Sequence, residues 1–498
     1  MPPKTLLAVD IGASSGRVVA GKFDGERITV DEVFRFPNGP VPVAGTLYWD
    51  VLAQWHGVLD GLRAAAQQTR EVVSVGVDTW GVDFALLAGD QLLGNPVHYR
   101  DKRTAGMIEL GCSRVPREEI FATTGLQFLP FNTLFQLLAL RESRSPLLEA
   151  ADALLLMPDL FHWMLTGEKS NELTNASTTQ FFDPRSRSWA HDLLKRFEIP
   201  SAFLGTIVEP GTRLGPLRAD VAEATGLDGV EVVLPGTHDT ASAVMAVPAT
   251  NAPSATPNWA YISSGTWSLA GVEVPRPVLD DRCLQFNFTN EGGVGGTTRL
   301  LKNIAGLWLV QESRRIWAEA GRDYDWAELV ARADAAPPRQ SFVDPDAQDF
   351  LAPRDMPEAI RTYCRRTRQT VPDDEGAMTR CALESIALKS RYVLSQAAEL
   401  TGAALDTVHI VGGGSQNSAL CQATADACGL RVLAGPTEAT AIGNLMMQAV
   451  ALGDVGSIIE AREVIQRSFP CDEYLPHDAD EWDAAFARFS ELISAETS

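Results

Sequence analysis

The chain opens on an apolar run broken by one acid: Leu6-Leu7-Ala8-Val9 and Ile11 flank Asp10. That pattern predicts a buried strand ending at Asp10. Small residues follow from Gly12 to Gly16, and a turn so poor in side chains lets backbone N–H groups approach an anion. Alternation resumes at Arg17-Val18-Val19-Ala20-Gly21-Lys22-Phe23, so the opening unit reads as a hairpin. Ile28 to Phe36 predicts a third strand. Asp50 is placed to cap a helix whose apolar face is Val51, Trp55, Val58, Leu59 and Leu62. Val72 to Asp78 is another strand ending in an acid, and it runs into the polar loop Thr79-Trp80-Gly81-Val82-Asp83-Phe84. Strands, helix and a strand ending in a polar loop predict an α/β unit with a site at the strand ends.

Further on, residues 132–140 and 147–165 read as helices and 230–234 as a strand. The stretch Pro235-Gly236-Thr237-His238-Asp239-Thr240 comes next, with Thr237 or Asp239 placed to cap a helix. Residues 248–257 are proline-rich and read as a surface loop near a domain junction. The opening pattern then returns: strand 259–264, a turn at Gly265-Thr266, strand 267–272. Helices are expected over 299–320, 377–400, 416–427 and 440–452, and a strand over 408–411 ahead of Gly412-Gly413-Gly414. Residues 333–357 read as an excursion, and 479–495 as an amphipathic helix. Two halves that each begin with strand, Gly/Ser/Thr hairpin and strand predict a duplicated α/β domain with a cleft between the halves. The expected boundaries are 1–247 for the first domain, 248–478 for the second and 479–498 for a C-terminal helix.

Composition narrows the function. A chain of 498 residues favours two or more domains. A net charge of −22 repels nucleic acid phosphates and anionic lipid, so neither is expected as a partner. No apolar run approaches membrane-spanning length. The start, Met1-Pro2-Pro3-Lys4, leads straight into a strand with no signal-peptide pattern. Seven cysteines, an odd number, suggest reduced thiols and a cytoplasmic location. Cys364 and Cys381 are a candidate pair, though free core thiols are the plainer reading.

Several chemistries can be set aside. Gly12-Ala13-Ser14-Ser15-Gly16 matches the G-x-S-x-G nucleophile elbow, but the elbow needs a helix after the turn and a strand pattern follows here. No G-x-x-x-x-G-K-[ST], no helix-opening G-x-G-x-x-G and no zinc spacing occur. What remains is two hairpin turns suited to a polyphosphate, with Asp10 beside the first to orient hydrated Mg²⁺. A glycine turn at 412–414 would admit a flat base. Each residue also has a bland reading. Asp239 is equally an N-cap and Asp10 a strand-end acid. His238 and Trp80 can simply be packed, and Arg17 can reach a phosphate or only a neighbouring acid. The cluster Arg100-Asp101-Lys102-Arg103 reads as solvated surface.

These stretches together resemble the FGGY carbohydrate kinases, on the actin/hexokinase-like (ribonuclease H-like) fold. The resemblance runs from about Leu6 to about Cys471. It is carried by Val9-Asp10-Ile11-Gly12-Ala13-Ser14-Ser15-Gly16-Arg17, by Asp78 to Phe84, and by Gly236-Thr237-His238-Asp239-Thr240-Ala241-Ser242. Ser263-Ser264-Gly265-Thr266-Trp267-Ser268, Leu301-Lys302-Asn303-Ile304 with Gly306-Leu307-Trp308, and Val411-Gly412-Gly413-Gly414-Ser415-Gln416-Asn417 complete it. The resemblance implies ATP and Mg²⁺ as cofactors. Ala13, Ser14, Ser15, Gly16 and Arg17 would contact the phosphates, Thr266 and Gln311 the nucleotide, and Gly413 the adenosine. Gly81, His238, Asp239, Thr240 and Asn303 would contact the sugar, with Asp239 as the base and Asp10 at the metal. It further implies a small-molecule deoxy-ketose, L-rhamnulose or a relative such as L-fuculose, phosphorylated at C1 by a monomer or homodimer. Where the wider family often carries Lys-x-x-Trp, this chain has Phe131-Asn132-Thr133-Leu134-Phe135-Gln136.

Overall fold

The computed structural model describes residues 3–351 and 353–497. Met1 and Pro2 of the expected start, Ala352 within the 333–357 excursion and Ser498 at the end of the expected tail helix fall outside the described residues. Packing groups the chain into two compact units. The first comprises the residues up to Ser254 with Glu273–Leu300 and Ala439–Phe469, and the second comprises Ala255–Val272, Leu301–Glu438 and Pro470 onward. Residues 248–254, 273–300 and 439–469, all beyond the expected boundary at 247/248, therefore cluster with the first unit.

The first unit is built on β1 (Lys4–Ile11), β2 (Ser15–Phe23), β3 (Ile28–Pro37), β4 (Val72–Thr79), β5 (Arg213–Pro216) and β6 (Glu231–Val233). Their order across the sheet is β5-β6-β4-β1-β2-β3. β1 pairs antiparallel with β2 and parallel with β4, which pairs parallel with β6. The central strands read as continuous apolar runs because both faces are covered. Gly61 of the helix Val51–Gln68 lies against Val18 on one face of β2, and Gly21 on the other lies against Leu445 of the helix Ala439–Ala451. Asp50 caps the first helix as expected, accepting the Ala53 N–H at 3.1 Å.

A second sheet repeats this grammar with β7 (Trp259–Ser264), β8 (Trp267–Val274), β9 (Thr298–Ala305), β10 (Thr407–Val411), β11 (Arg431–Ala434) and β12 (Asp472–Tyr474), ordered β9-β8-β7-β10-β11-β12 with the strand Thr289–Gly292 at the β9 edge; the end of β8 from Glu273 and the start of β9 up to Leu300, Arg299 included, cluster with the first unit. β7 pairs antiparallel with β8 and parallel with β10. The helices Glu375–Thr401, Ser418–Cys428 and Ala479–Thr497 share a core of Phe342, Leu388, Ala427, Trp482 and Phe489.

Three expectations are corrected. Residues 299–320 are not one helix: Thr298–Ala305 is a strand, and the helix is Trp308–Glu319. The break falls at Gly306, where a Cβ would stand 2.5 Å from Ser268 Oγ. Residues 147–165 divide into a single turn Leu147–Ala150, a strand Ala153–Leu156 and a helix Met157–Thr166. That strand pairs with Phe84–Ala88, and a short apolar run buried on both faces carries no period to separate strand from helix. The cluster 100–103 is not all solvated: Asp101 is buried and accepts the backbone N–H groups of Leu47 and Arg103. All seven cysteines are free, and Cys364 and Cys381 are buried thiols.

Candidate active site

In the first unit the hairpin register sets Asp10 opposite Arg17 and, across the parallel pair, opposite Asp78. Arg17 lies at strand spacing from the turn and folds back onto Asp10, donating from Nε and Nη2 to Oδ2 at 3.0 and 2.8 Å. Of its two sequence-level readings, the neighbouring acid is the one seen. The turn is tied by Gly12 N–H to Ser15 O and by Asn38 Nδ2 to Gly12 O, leaving Ala13 and Ser14 exposed at its tip. Gly16 is buried beneath Phe36, whose ring a Cβ would meet at 2.2 Å.

Asp78 is fully buried. Its Oδ2 accepts Asn444 Nδ2 at 2.6 Å, and its Oδ1 accepts no hydrogen bond among the described residues. Burial first, then the charge of Asp10, push its carboxyl well above the ordinary carboxylate range. Asp239 is close enough for its charge to raise Asp78 as well. Burial raises Asp239 itself, the His238 charge opposes, and Asp10 raises it again. Its side chain is 33% exposed, so one side of the carboxyl opens outward although protein crowds the rest.

The strand end is locked to the helix that carries Asp239. Thr79 N–H donates to Thr237 O at 3.0 Å, and Thr237 donates from N and Oγ1 to Glu172 Oε2. Glu172 also takes Thr174 N and Oγ1, and Thr174 Oγ1 in turn accepts His238 N–H at 3.2 Å. The helix is Asp239–Met245 with His238 at its N-cap and no side-chain cap, so neither Thr237 nor Asp239 caps it. Asp239 Oδ1 instead accepts the N–H and Oγ1 of Thr240 and faces His238 Nε2 at 3.4 Å. Oδ2 accepts no hydrogen bond among the described residues.

The Gly81 loop is held under strain. Val82, a β-branched residue, adopts φ 69°, which favours glycine. It is pinned by Thr178 Oγ1 on its N–H and by Thr133 Oγ1 on its carbonyl. Gly81 itself packs against Thr178, with a Cβ position 3.1 Å from its methyl. Trp80 is buried, donates its indole N–H to Asp83 and packs at a 35° tilt against Trp49, 4.1 Å between ring centroids, so its ring is packing rather than an open platform.

In the second unit, Thr266 forms the hairpin tip. Its carbonyl accepts Gly306 and Trp308 N–H, which seats the start of helix Trp308–Glu319 and hence Gln311 beside the tip. Gly412 has φ 85°, and a Cβ there would meet Ser264 O at 3.0 Å; at Gly414 it would meet Ser264 Oγ at 2.0 Å. Gly413 is exposed, with nothing within 4 Å of its Cβ position. Thr266, Gln311 and Gly413 thus share one end of this sheet. Asn303 lies half-buried on β9, next to Lys302, which burial and the neighbouring Lys389 charge lower to about 8.

Sequence reasoning missed Glu172, Glu291 and Arg299. The first stands in a polar stretch, Asn171 to Gln180, that is buried throughout; only that density of Thr and Asn beside an acid hinted at a buried network.

The architecture is the one shared by solved sugar kinases. A xylulose kinase from Lactobacillus acidophilus superposes with TM-score 0.81 at 16% identity, covering 99% of both chains. A glycerol kinase from Plasmodium falciparum gives 0.79 at 13%, covering 99% of this chain and 98% of that one. The N-terminal domain of the FGGY family of carbohydrate kinases matches residues 5–246 and its C-terminal domain residues 260–452. The chain belongs to that family, and it is a sugar phosphotransferase. It is similar to the rhamnulokinase of Bacteroides thetaiotaomicron, 44% identical over 491 residues, 98% of this chain and 99% of that one. The rhamnulokinase of Bacillus subtilis is 38% identical over 475 residues, 95% and 96% of the two chains.

Proposed function

We propose that the chain transfers the γ-phosphoryl group of ATP to the C1 hydroxyl of L-rhamnulose, with Asp239 as general base. Identity to named rhamnulokinases along nearly the whole chain carries the choice of sugar. The observation that supports the base is Asp239 itself: Oδ1 is held by Thr240 while Oδ2, on an open side, accepts no hydrogen bond among the described residues. Phosphoryl transfer passes through a loose transition state, so positioning and charge stabilisation dominate. The attacking hydroxyl needs an acceptor for its proton late in that step. A carboxyl raised by burial is a stronger base than a solvated one and suits the task.

The backbone of Ala13 to Gly16 and the Thr266 tip are assigned to the phosphates, Gly413 to the adenosine, and Gln311 to the nucleotide side. Gly81, His238, Thr240 and Asn303 are assigned to the sugar. Among the described residues no three carboxylate, imidazole or thiol groups converge as metal ligands. The two carboxylates of Asp10 and Asp78, paired in register, fit Mg²⁺, which keeps waters and substrate phosphates and takes one or two carboxylates. Asp10 would hold its hydration shell, with the partnerless Oδ1 of Asp78 next to it in register. When bound, the ion supplies positive charge to the phosphoryl oxygens. We assign the enzyme to the cytoplasm.

A coupled ADP-release assay over L- and D-ketoses tests the reading. Turnover is expected to be highest with L-rhamnulose; a higher kcat/KM for L-fuculose would replace the substrate, and no turnover with any ketose would refute the activity.

A further inference from the structure

Arg299 is fully buried on β9, where a charge survives only with partners. Its Nε donates to Gly292 O at 2.9 Å. Its Nη2 lies 3.1 Å from His238 Nδ1 and 3.1 Å from Glu291 Oε2. Glu291 supplies the counter-charge: burial works against its ionised form, yet Arg299 holds its carboxyl below the ordinary range. Glu291 Oε2 is also 3.2 Å from His238 Nδ1, and both His238 and Arg299 help to keep Glu291 ionised, but of these contacts only Arg299–His238 meets hydrogen-bond alignment.

A guanidinium has five donors and no acceptor. Nδ1 of His238 must therefore present its lone pair, and the ring proton must sit on Nε2. That nitrogen faces Asp239 Oδ1 at 3.4 Å. From this chain we infer that Arg299, with Glu291 as its counter-charge, is a positioning residue that fixes His238 as the Nε2–H tautomer pointing its proton at Asp239. The consequence is directional. Oδ1 of Asp239 gathers donors from Thr240 N, Thr240 Oγ1 and His238 Nε2, and Oδ2 alone is left to take the proton of the sugar hydroxyl. With Nδ1–H instead, the ring would present a lone pair to the carboxylate and turn it away. The groups facing the ring are Asp239, Glu291 and Arg299, with Asp10 and Asp78 acting on Asp239 from β1 and β4. The inference rests on the reading of Asp239 as base only for its kinetic consequence, not for the tautomer.

Long-range ¹H–¹⁵N spectra of the full chain labelled on histidine give the test, with the His238 ring identified by its loss in His238→Asn. The expected signature at neutral pH is a protonated Nε2 and an unprotonated Nδ1; an Nδ1–H ring or an imidazolium overturns the inference without any variant of Arg299. Kinetics adds a second arm. Arg299→Met should lower kcat at least tenfold with KM for ATP unchanged, and in a His238→Asn background the same change should cost under threefold. Additive losses would assign Arg299 a merely structural role. Should Arg299→Met fail to fold, the wild-type spectrum still decides. If Asp239→Asn retains turnover while the spectrum shows Nε2–H, the base assignment fails and the tautomer stands.

Discussion

Arg17 donates both Nε and Nη2 to a single oxygen of Asp10, and neither side chain is more than about a fifth exposed. The pair joins adjacent strands of the hairpin, so the register that forms the glycine turn also fixes the carboxylate at its base. Arg17 is the positive charge that lowers the Asp78 carboxyl against burial and against Asp10. Replacing it with Met removes that charge from a group of three acids. The acid limb of the kcat/KM profile should then move to higher pH, because a raised carboxyl pKa delays ionisation as pH rises. An acid limb that stays in place would show that the Arg17–Asp10 pair does not act on the proposed catalytic carboxylates.

Asp239→Asn keeps the shape and the Thr240 contacts but cannot accept a proton. Turnover should fall by about 10²–10⁴, the usual scale for losing a general base, while titration calorimetry with ATP stays unchanged. Loss of nucleotide affinity along with turnover would point instead to a structural role in the helix Asp239–Met245. Asp10→Ala is a companion: it should weaken the Mg²⁺ dependence of turnover. An unchanged Mg²⁺ titration would remove Asp10 from the ion.

The hairpins, the acid-terminated strands and the repeated half were legible because each is local. A strand pattern meets a glycine turn, and the turn decides the register. What the sequence hid is long-range. Glu172 reaches Thr237 across 65 positions and Arg299 reaches His238 across 61. No periodicity marks such partners, because nothing local to either residue says which distant group it will meet once the fold closes. Asp239 illustrates the limit from the other side. Its place at a helix start suggested a cap, yet the backbone needs no side-chain cap there and the carboxyl is left for other work.

Asp83 offers a test in pH. It is fully buried and accepts Trp49 Nε1, Trp80 Nε1 and Tyr99 N–H on Oδ2 and Gln136 Nε2 on Oδ1. Burial nevertheless pushes it from 3.8 to about 6. An acid whose folded pKa is raised binds its proton more tightly when folded. Its contribution to stability is therefore greatest below the unfolded pKa and declines as pH rises through about 4 to 6, by about 3 kcal/mol in all. Asp83→Asn should abolish that slope, seen as a wild-type minus variant difference in Tm that changes between pH 4 and 7. Asp83→Ala strands two buried indole N–H groups and should cost about 2–5 kcal/mol at any pH. Parallel Tm profiles for wild type and Asp83→Asn would mean the carboxyl ionises freely in the fold.

Gly443 is the tightest helix contact behind the candidate base. A Cβ there would stand 1.8 Å from the carbonyl oxygen of Ser242, which is backbone and cannot swing aside. Ser242 lies one turn beyond Asp239 on the same short helix, and Asn444, the residue after Gly443, ties Asp78. Gly443→Ala must therefore push the helix that carries Asp239 away from the helix that holds Asp78. Overpacking of this kind costs about 1–3 kcal/mol. The displacement should lower kcat by about tenfold or more, since an error on the order of 1 Å at a reacting group is enough for that. Thermal unfolding and the ADP-release assay read the two effects separately. A variant that loses stability but keeps full kcat would show that the helix pair only packs, and that Asp239 does not need the close approach at Gly443 to do its work.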